Sequence, residues 1–390
     1  MNKPLKIAIY SGEIPSTTFV ERLAVGLSKH NNILLFGIKK RHNKYPKSIS
    51  VYGYKNNRFS KALHLLKYSL LLVLFKNKEK RILDVLLKSQ DRDTLNEKLK
   101  SYPVLFYKPD IFHIQWAKSI EDWIWVKEFG MKLVLSLRGA HINYSPIVDE
   151  KLAATYKKLF TKVSAFHAVS IAIAKESTKY NVEVEHVKVI KSGLDLDNFS
   201  FKLKTFDSNQ PLKIISVGRD HWIKNYKLAL DAMFELKQHG IKFHYKIIGI
   251  KNNEALIYQR AQLELENEVS FVNTMSFKNV QKEIQQADVM LLSSLKEGIA
   301  NVVLEAMALG TFVVSTNSGG MAKVVIPNQT GLLVPLQDVQ AMCEKLIEVS
   351  KLAMIDYQRI TEQARAFVEN NHNEKQMILD MQFLYENLKR

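Results

Sequence analysis

Ser293-Ser294-Leu295-Lys296-Glu297-Gly298-Ile299-Ala300-Asn301-Val302-Val303-Leu304-Glu305-Ala306-Met307-Ala308-Leu309-Gly310 follows a strand-like run at 288–292. Positions 302–309 are good helix formers, and Gly310 stands where a left-handed cap would end a helix. Two carboxylates, Glu297 and Glu305, bracket the turn and the helix. At about 1.5 Å of rise per residue, Glu305 sits several ångströms up the axis from the helix start. That start presents unpaired N–H groups and a partial positive charge, a seat for a phosphate. Two acids flanking it suit a ligand with an anionic middle and hydroxyl-rich ends. The same residues also fit a surface turn and an amphipathic helix with two solvated acids. The stretch alone does not choose between the two.

Working outward, strand and helix alternate on both sides. Upstream, strands are predicted at 212–217, 243–249 and 269–272, and helices at 226–238, 254–265 and 277–286. Downstream, a strand at 311–315 runs into Asn317-Ser318-Gly319-Gly320. The loop after the 212–217 strand, opened by Gly218, carries Arg219 and Lys224. These are two fixed cations beside a helix start, another arrangement suited to phosphate. Alternation of this kind makes a doubly wound α/β domain, which binds ligands at the carboxyl ends of its strands. Cations, a helix start, a Gly-Gly turn and two carboxylates at strand ends outline a nucleotide-sugar site.

A polar stretch at 200–211, ending in Pro211, reads as a linker, and the pattern before it is similar. A strand at 5–10 meets the turn Ser11-Gly12-Glu13-Ile14-Pro15, Ser16 caps a helix to about 29, and a strand follows at 32–38. Gly12 is a candidate for close backbone approach to a ligand. His113 lies near the end of a strand at 110–115, and the strand at 132–137 ends in Arg138-Gly139-Ala140-His141. A helix at 148–160, strands at 165–169 and 187–190, and Ser170 as a cap complete this half. The expected domains are 1–200, 201–372 and a closing helix at 373–390 that crosses back to the first.

The 390 residues carry a net charge of +17, spread unevenly. Residues 1–200 hold 34 Lys and Arg against 18 Asp and Glu, while 201–390 hold 22 against 21. Only the first domain therefore meets something anionic, a nucleic acid or an acidic membrane surface. The run 61–75 is apolar and followed by Lys76, Lys78, Lys80 and Arg81, yet its core is far too short to span a bilayer. It either lies in a membrane interface or packs within the domain with its lysines solvated. A single cysteine, Cys343, excludes an intramolecular disulfide and any cysteine-built metal site. Met1-Asn2-Lys3-Pro4 leads straight into a strand without a signal-peptide core, so the expected location is cytoplasmic, or peripheral at the inner face of the plasma membrane.

The pieces in order resemble glycosyltransferase family 4, a retaining group with two facing Rossmann-like domains (the GT-B fold) and a cleft between them. The matching residues are Gly218-Arg219 with Lys224, then Glu297 through Gly310, then Gly319-Gly320 and Gly331-Leu332-Leu333-Val334-Pro335. The resemblance implies that Arg219 and Lys224 hold the donor diphosphate, Glu297 the transferred sugar and Glu305 the nucleotide ribose. Gly298, Ile299, Ala300 and Asn301 fall at the donor-binding helix start. In the first domain, Pro15-Ser16-Thr17-Thr18-Phe19 is similar to the family's loop facing donor and acceptor, with His113 assigned to the acceptor side. Lys191-Ser192-Gly193 resembles its hinge-side turn, with cleft closure expected near 193–211. Two positions depart from the pattern. Many relatives have His-Gly where this chain has Arg138-Gly139, so His141 is a partial substitute or Arg138 binds an acidic acceptor. Lys323 stands where relatives often carry an acid.

The expected activity is retaining transfer of a sugar from a UDP- or GDP-sugar to a glycan or lipid-linked acceptor in bacterial surface polysaccharide synthesis. No cofactor and no metal are expected. The partners are the nucleotide sugar, the acceptor and an anionic membrane surface. Nucleic acid is excluded, because the basic half carries no recognition motif. The alternatives are a nucleotide-sugar epimerase of the same fold and a non-catalytic, membrane-associated homologue.

Overall fold

The computed structural model describes residues 4–205 and 210–388. Residues 206–209 of the expected linker, and Met1, Asn2 and Lys3 of the expected lead-in, lie outside the described residues. The chain divides into two units, Met1–Ile190 with Met377–Arg390, and Lys191–Gln376. The first break falls at 190 rather than 200 for a packing reason. Leu194 and Phe199 are buried in the second unit's core, and Arg365 Nη1 donates to the Phe199 carbonyl at 2.8 Å.

In the first unit, β1 (Lys6–Ile14), β2 (Asn32–Lys39), β3 (Ile49–Tyr54), β4 (Ile111–Ile114), β5 (Lys132–Leu137), β6 (Ala165–Ala168) and β7 (Val187–Val189) form one parallel sheet. Its order is β3-β2-β1-β4-β5-β6-β7, so the winding reverses between β1 and β4. β1 continues through the turn expected at residues 11–15, with a register shift against β2 between Tyr10 and Gly12. The following helix is Thr18–Leu27; Thr17, not the expected Ser16, stands at its N-cap position, and its side chain makes no capping hydrogen bond. Three helices, Arg58–Phe75, Asn77–Ser89 and Leu95–Tyr107, fill the long break in the alternation. Helix Arg58–Phe75 buries Tyr68 and Leu72 on one side only. Among the described residues, no helix is long and apolar enough to cross a membrane.

A buried hydrogen-bonded chain ties the last helix, Glu374–Asn387, to this sheet. Tyr385 Oη lies 2.6 Å from His113 Nδ1, and His113 Nε2 lies 2.8 Å from Ser136 Oγ. Ser136 Oγ lies 2.8 Å from His167 Nδ1, and His167 Nε2 lies 3.0 Å from the Ile190 carbonyl. Burial holds His113 well below its ordinary pKa and His167 down to about 3, with Arg138 adding to both shifts. Each neutral imidazole has one N–H. The terminal carbonyl only accepts, so His167 donates to it through Nε2 and must accept at Nδ1. Ser136 therefore donates to His167 and accepts from His113 Nε2. His113 Nδ1 then accepts from the Tyr385 hydroxyl. One carbonyl thus sets every proton in the chain.

In the second unit, β8 (Leu212–Val217), β9 (Phe243–Ile248), β10 (Val269–Val272), β11 (Val289–Leu292), β12 (Phe312–Thr316) and β13 (Leu332–Val334) are parallel, in the order β10-β9-β8-β11-β12-β13. The winding reverses between β8 and β11. Helix Asn301–Leu309 is buried from Val303 to Leu309, and Gly310 ends it at φ +83°. An apolar helix buried all round belongs to a core. The reading as a surface helix with two solvated acids is thereby corrected, since Glu305 is only 9% exposed.

Candidate active site

The second unit's site residues come from three loops at the carboxyl ends of β8, β11 and β12, beside the reversal of strand order where such sheets bind ligands. The loops are knitted together. Leu295 N–H donates to the Ile223 carbonyl at 2.8 Å, Ser293 Oγ to the Lys224 carbonyl at 2.8 Å, and Thr316 Oγ1 to the Ser294 carbonyl at 2.6 Å. Within this frame Lys224 Nζ lies 2.5 Å from Glu297 Oε1, which also accepts from Ser294 Oγ at 2.9 Å. The Gly-Gly turn closes directly onto the same loop. A Cβ on Gly319 would sit 1.8 Å from the Glu297 carbonyl oxygen, and one on Gly320 would sit 2.0 Å from that of Gly298. Only glycine permits this approach.

Arg219 is exposed on the β8 loop. Gly218 is needed because a Cβ there would come 2.7 Å from the Tyr226 hydroxyl and 3.1 Å from Lys224 Cε. Helix Asn301–Leu309 starts from Ala300 without a side-chain cap, and the Ala300 N–H points to Met321 Sδ at 3.4 Å. Gly298, Ile299 and Asn301 lie on the loop and first turn between Glu297 and Glu305. Lys323 is exposed just beyond the Gly-Gly turn, at the end of the short turn Met321–Lys323. Among the described residues, no three His, Cys, Asp or Glu side chains are grouped to hold a metal ion.

In the first unit, Gly12, Pro15 and Trp116 line a cavity of about 600 Å³ beside the ends of β1 and β2. Thr18 is exposed at the start of its helix. The Phe19 ring lies 5.8 Å edge-to-face from Trp116, and the Arg138 guanidinium lies 4.4 Å above Phe19. The His141 ring is 5.5 Å from Trp116. His113 is a correction. It is fully buried with both ring nitrogens engaged, so it is placed to hold the last helix and not an acceptor. β4 turns it toward that helix, which the sequence pattern of one strand does not reveal.

Sequence reasoning missed several residues. Ser294 orients Glu297, and its place inside the quoted stretch was the available signal. Tyr226 puts a buried hydroxyl without a partner beneath Gly218, and burial pushes its pKa up. Gln115 and Trp116 directly follow β4, the position that strand-end reasoning had given to His113.

Two Rossmann-like units, one with cations, a Gly-Gly turn and paired acids at its switch point, define a glycosyltransferase of the GT-B class. Residues 199–367 match the family described as glycosyl transferases group 1. The amylovoran biosynthesis glycosyltransferase AmsK of Erwinia amylovora is 31% identical over 278 residues, covering 69% of this chain and 68% of that protein. The putative colanic acid biosynthesis glycosyltransferase WcaL of Escherichia coli K12 is 28% identical over 279 residues, covering 69% and 68%. The chain belongs to the glycosyl transferases group 1 family. Solved structures share its fold. Sucrose-phosphate synthase from Thermosynechococcus elongatus aligns with a TM-score of 0.77 at 17% identity, over 98% of this chain and 99% of that one. The Anabaena protein HepE, solved with UDP and glucose, aligns at 0.72 and 16%, over 98% and 100%.

Proposed function

We propose that this chain transfers a sugar, with retention, from a nucleoside-diphosphate donor to a glycan or lipid-linked acceptor in bacterial surface polysaccharide synthesis. The observation that carries the reading is the Lys224–Glu297 contact of 2.5 Å at the β8–β11 switch point, closed over by Gly319 and Gly320. It sets a phosphate-binding cation beside a hydroxyl-binding carboxylate. The products named for WcaL and AmsK support the polysaccharide context. HepE, of the same fold, was solved with UDP and glucose, and a UDP-sugar is the donor proposed here, with a GDP-sugar as the alternative.

In this reading the bond between the anomeric carbon and the β-phosphate oxygen breaks as the acceptor oxygen bonds to the same face of that carbon. The acceptor's proton passes to a phosphate oxygen of the departing diphosphate. Arg219, Lys224 and the helix start at Asn301 stabilise the charge that develops there, commonly the largest catalytic contribution. Glu297 orients the sugar through its hydroxyls and Glu305 holds the ribose. No metal is required. Activity that dies on chelation and returns with Mg²⁺ would count against that point.

The chain also docks on an anionic membrane surface through helix Arg58–Phe75. Phe59, Leu63, Leu66, Leu70 and Leu74 recur at helical spacing on one face and are 51–74% exposed. Arg58 and Lys67 on the same helix, and Lys78 and Arg81 on the helix Asn77–Ser89 that follows it, are also exposed. A charged border around an apolar stripe suits the interface of an acidic bilayer.

Radiolabelled UDP- and GDP-sugars with lipid extract as acceptor test the activity. Transfer is expected from a UDP-sugar, and Lys224→Ala should lose about 10²- to 10³-fold in rate. A chain that binds no nucleotide sugar would sink the proposal.

A further inference from the structure

The cavity of about 600 Å³ in the first unit lies at the carboxyl ends of β1, β2 and β3. Residues 11–17 finish β1 and lead into the next helix, and Trp116 follows β4, so the cavity sits beside the reversal of winding between β1 and β4. Sheets of this kind take their ligands there, and the volume is in the range that holds a small molecule. Two glycines open it. A Cβ on Gly37 would sit 2.5 Å from the Gly12 carbonyl oxygen, and one on Gly12 would meet nothing nearer than the Tyr10 hydroxyl at 3.9 Å. The space in front of Tyr10 is therefore left unfilled.

The charges that line this cavity are already paired. Lys100 Nζ lies 2.7 Å from Glu97 Oε1 and 3.3 Å from Asp122 Oδ2. Arg92 bonds the same two carboxylates, so these four side chains sum to zero charge. Glu13 pairs with Lys40 at 3.0 Å. An anion entering the cavity would have to displace two carboxylates from Lys100 and would meet Glu13 besides. The unit is strongly basic, yet this wall offers no spare cation.

What the cavity does offer is neutral. Tyr54 is 8% exposed and lines it, and its hydroxyl makes no hydrogen bond among the described residues. Burial raises the Tyr54 pKa, with Glu97 adding to the shift, so the phenol stays protonated and can both donate and accept. Ser16 and Thr17 add hydroxyls at the rim, while Pro15, Ile38 and Trp116 supply apolar wall. Hydroxyl partners set into an apolar wall, with no net charge, suit a sugar ring.

We infer that this cavity receives an uncharged sugar at the end of the acceptor, so that the chain extends a glycan already begun and does not glycosylate a lipid phosphate directly. The inference deepens the proposed sugar transfer and rests on it. The reaction that supplies the acceptor must then itself be a sugar transfer that leaves a neutral residue exposed.

Full-length wild type, Thr17→Trp, Tyr54→Phe and Lys224→Ala are compared by saturation-transfer NMR. The probes are the methyl glycosides of D-glucose, D-galactose, D-mannose and D-glucuronic acid, with inorganic phosphate as competitor. At least one neutral hexoside should bind wild type, at least tenfold more tightly than the glucuronoside, and phosphate should not displace it. Thr17 is exposed and its side chain makes no capping bond, so Thr17→Trp fills the cavity at unchanged melting temperature and should abolish binding. Tyr54→Phe loses one hydrogen bond and should weaken binding about three- to tenfold. Binding should be kept in Lys224→Ala, which lies in the other unit. The inference is overturned if no neutral hexoside binds, if the glucuronoside binds as well, if phosphate displaces the hexoside, or if binding survives Thr17→Trp or is lost in Lys224→Ala. Transfer of radiolabelled sugar onto polyprenyl phosphate alone would also overturn it. Should Thr17→Trp not fold, Tyr54→Phe decides, and unchanged binding there counts against the inference. Binding of UDP-glucose or GDP-mannose, lost in Lys224→Ala, separately checks the donor site, so failure of the hexoside arm leaves sugar transfer standing.

Discussion

Tyr385→Phe removes a single hydroxyl from the buried chain Tyr385–His113–Ser136–His167–Ile190, and the geometry says what that costs. The chain can run in one direction only, because the Ile190 carbonyl must accept. Without the phenol, His113 Nδ1 has no donor and cannot exchange roles with Nε2, which is committed to Ser136. His113 is fully buried, so no water replaces the lost proton. An acceptor stranded in this way costs about 1–3 kcal/mol. In a unit of this size each kcal/mol is worth about 2–4 °C, so the melting temperature should fall by about 2–12 °C. Tryptophan fluorescence suits the assay. Trp116, Trp123 and Trp125 lie in the first unit, whereas Trp222 is 63% exposed and its emission changes little on unfolding. Ser136→Ala should cost more, since it strands the His113 N–H and the His167 Nδ1 together. Melting of Tyr385→Phe within about 1 °C of wild type, or a milder effect of Ser136→Ala, would refute the proton assignment.

The same histidines set a pH dependence. Both have folded pKa values below the ordinary 6.5, His167 at about 3, so the unfolded chain takes up protons that the folded chain refuses. Their stabilisation is complete above about pH 6.5 and is lost as pH falls below it, by about 2 kcal/mol for His167 between pH 7 and 5, with His113 acting in the same direction; a urea midpoint that stays flat over this range would show them charged in the fold. Leu66→Ser with Leu70→Ser should reduce sedimentation with phosphatidylglycerol vesicles at least tenfold at unchanged melting temperature, because both side chains are exposed; retained binding would place the membrane contact elsewhere. A double-variant cycle of Lys224→Ala and Glu297→Gln in the transfer assay should show a combined loss well below the product of the single losses, and full additivity would show that the two residues act independently.

Much of the second unit was legible because its elements are strongly periodic and capped. The strands at 212–217 and 269–272 and the helices at 226–238 and 277–286 stand where the apolar pattern put them, with Ser276 accepting from the Asn279 N–H at 3.3 Å. Helix Leu95–Tyr107 escaped because Pro103 sits inside it and reads as a break. β3 escaped because most of its residues are half-buried and the alternation is faint. The site divides along the same line. Residues within one motif, such as Glu297 and Glu305, can be read from spacing. The partner of His113 lies 272 positions away, so a strand-end histidine looks like a ligand group until the last helix is in place. Arg138 shows the reverse. Its identity was visible as a departure from the family pattern, but only the fold shows that no acid comes to meet it.

The Lys224–Glu297 contact explains why the two roles should be coupled. The loops carrying it are held by backbone and hydroxyl bonds, so the frame does not depend on the ion pair. The pair itself is partly hydrated, with side chains 19% and 17% exposed, and a pair of that kind contributes about 0–1 kcal/mol. A charge-assisted hydrogen bond from Lys224 to a diphosphate is worth about 1.5–3 kcal/mol. The lysine therefore exchanges partners downhill when a donor arrives. Once it does, Glu297 keeps only Ser294 and has acceptor capacity free for sugar hydroxyls. Phosphate capture thus frees the carboxylate for the sugar, and without the lysine the diphosphate no longer holds that sugar in place for Glu297 to orient. For this reason the glutamate's contribution should depend on the lysine being present, and the sign of the coupling reports the exchange.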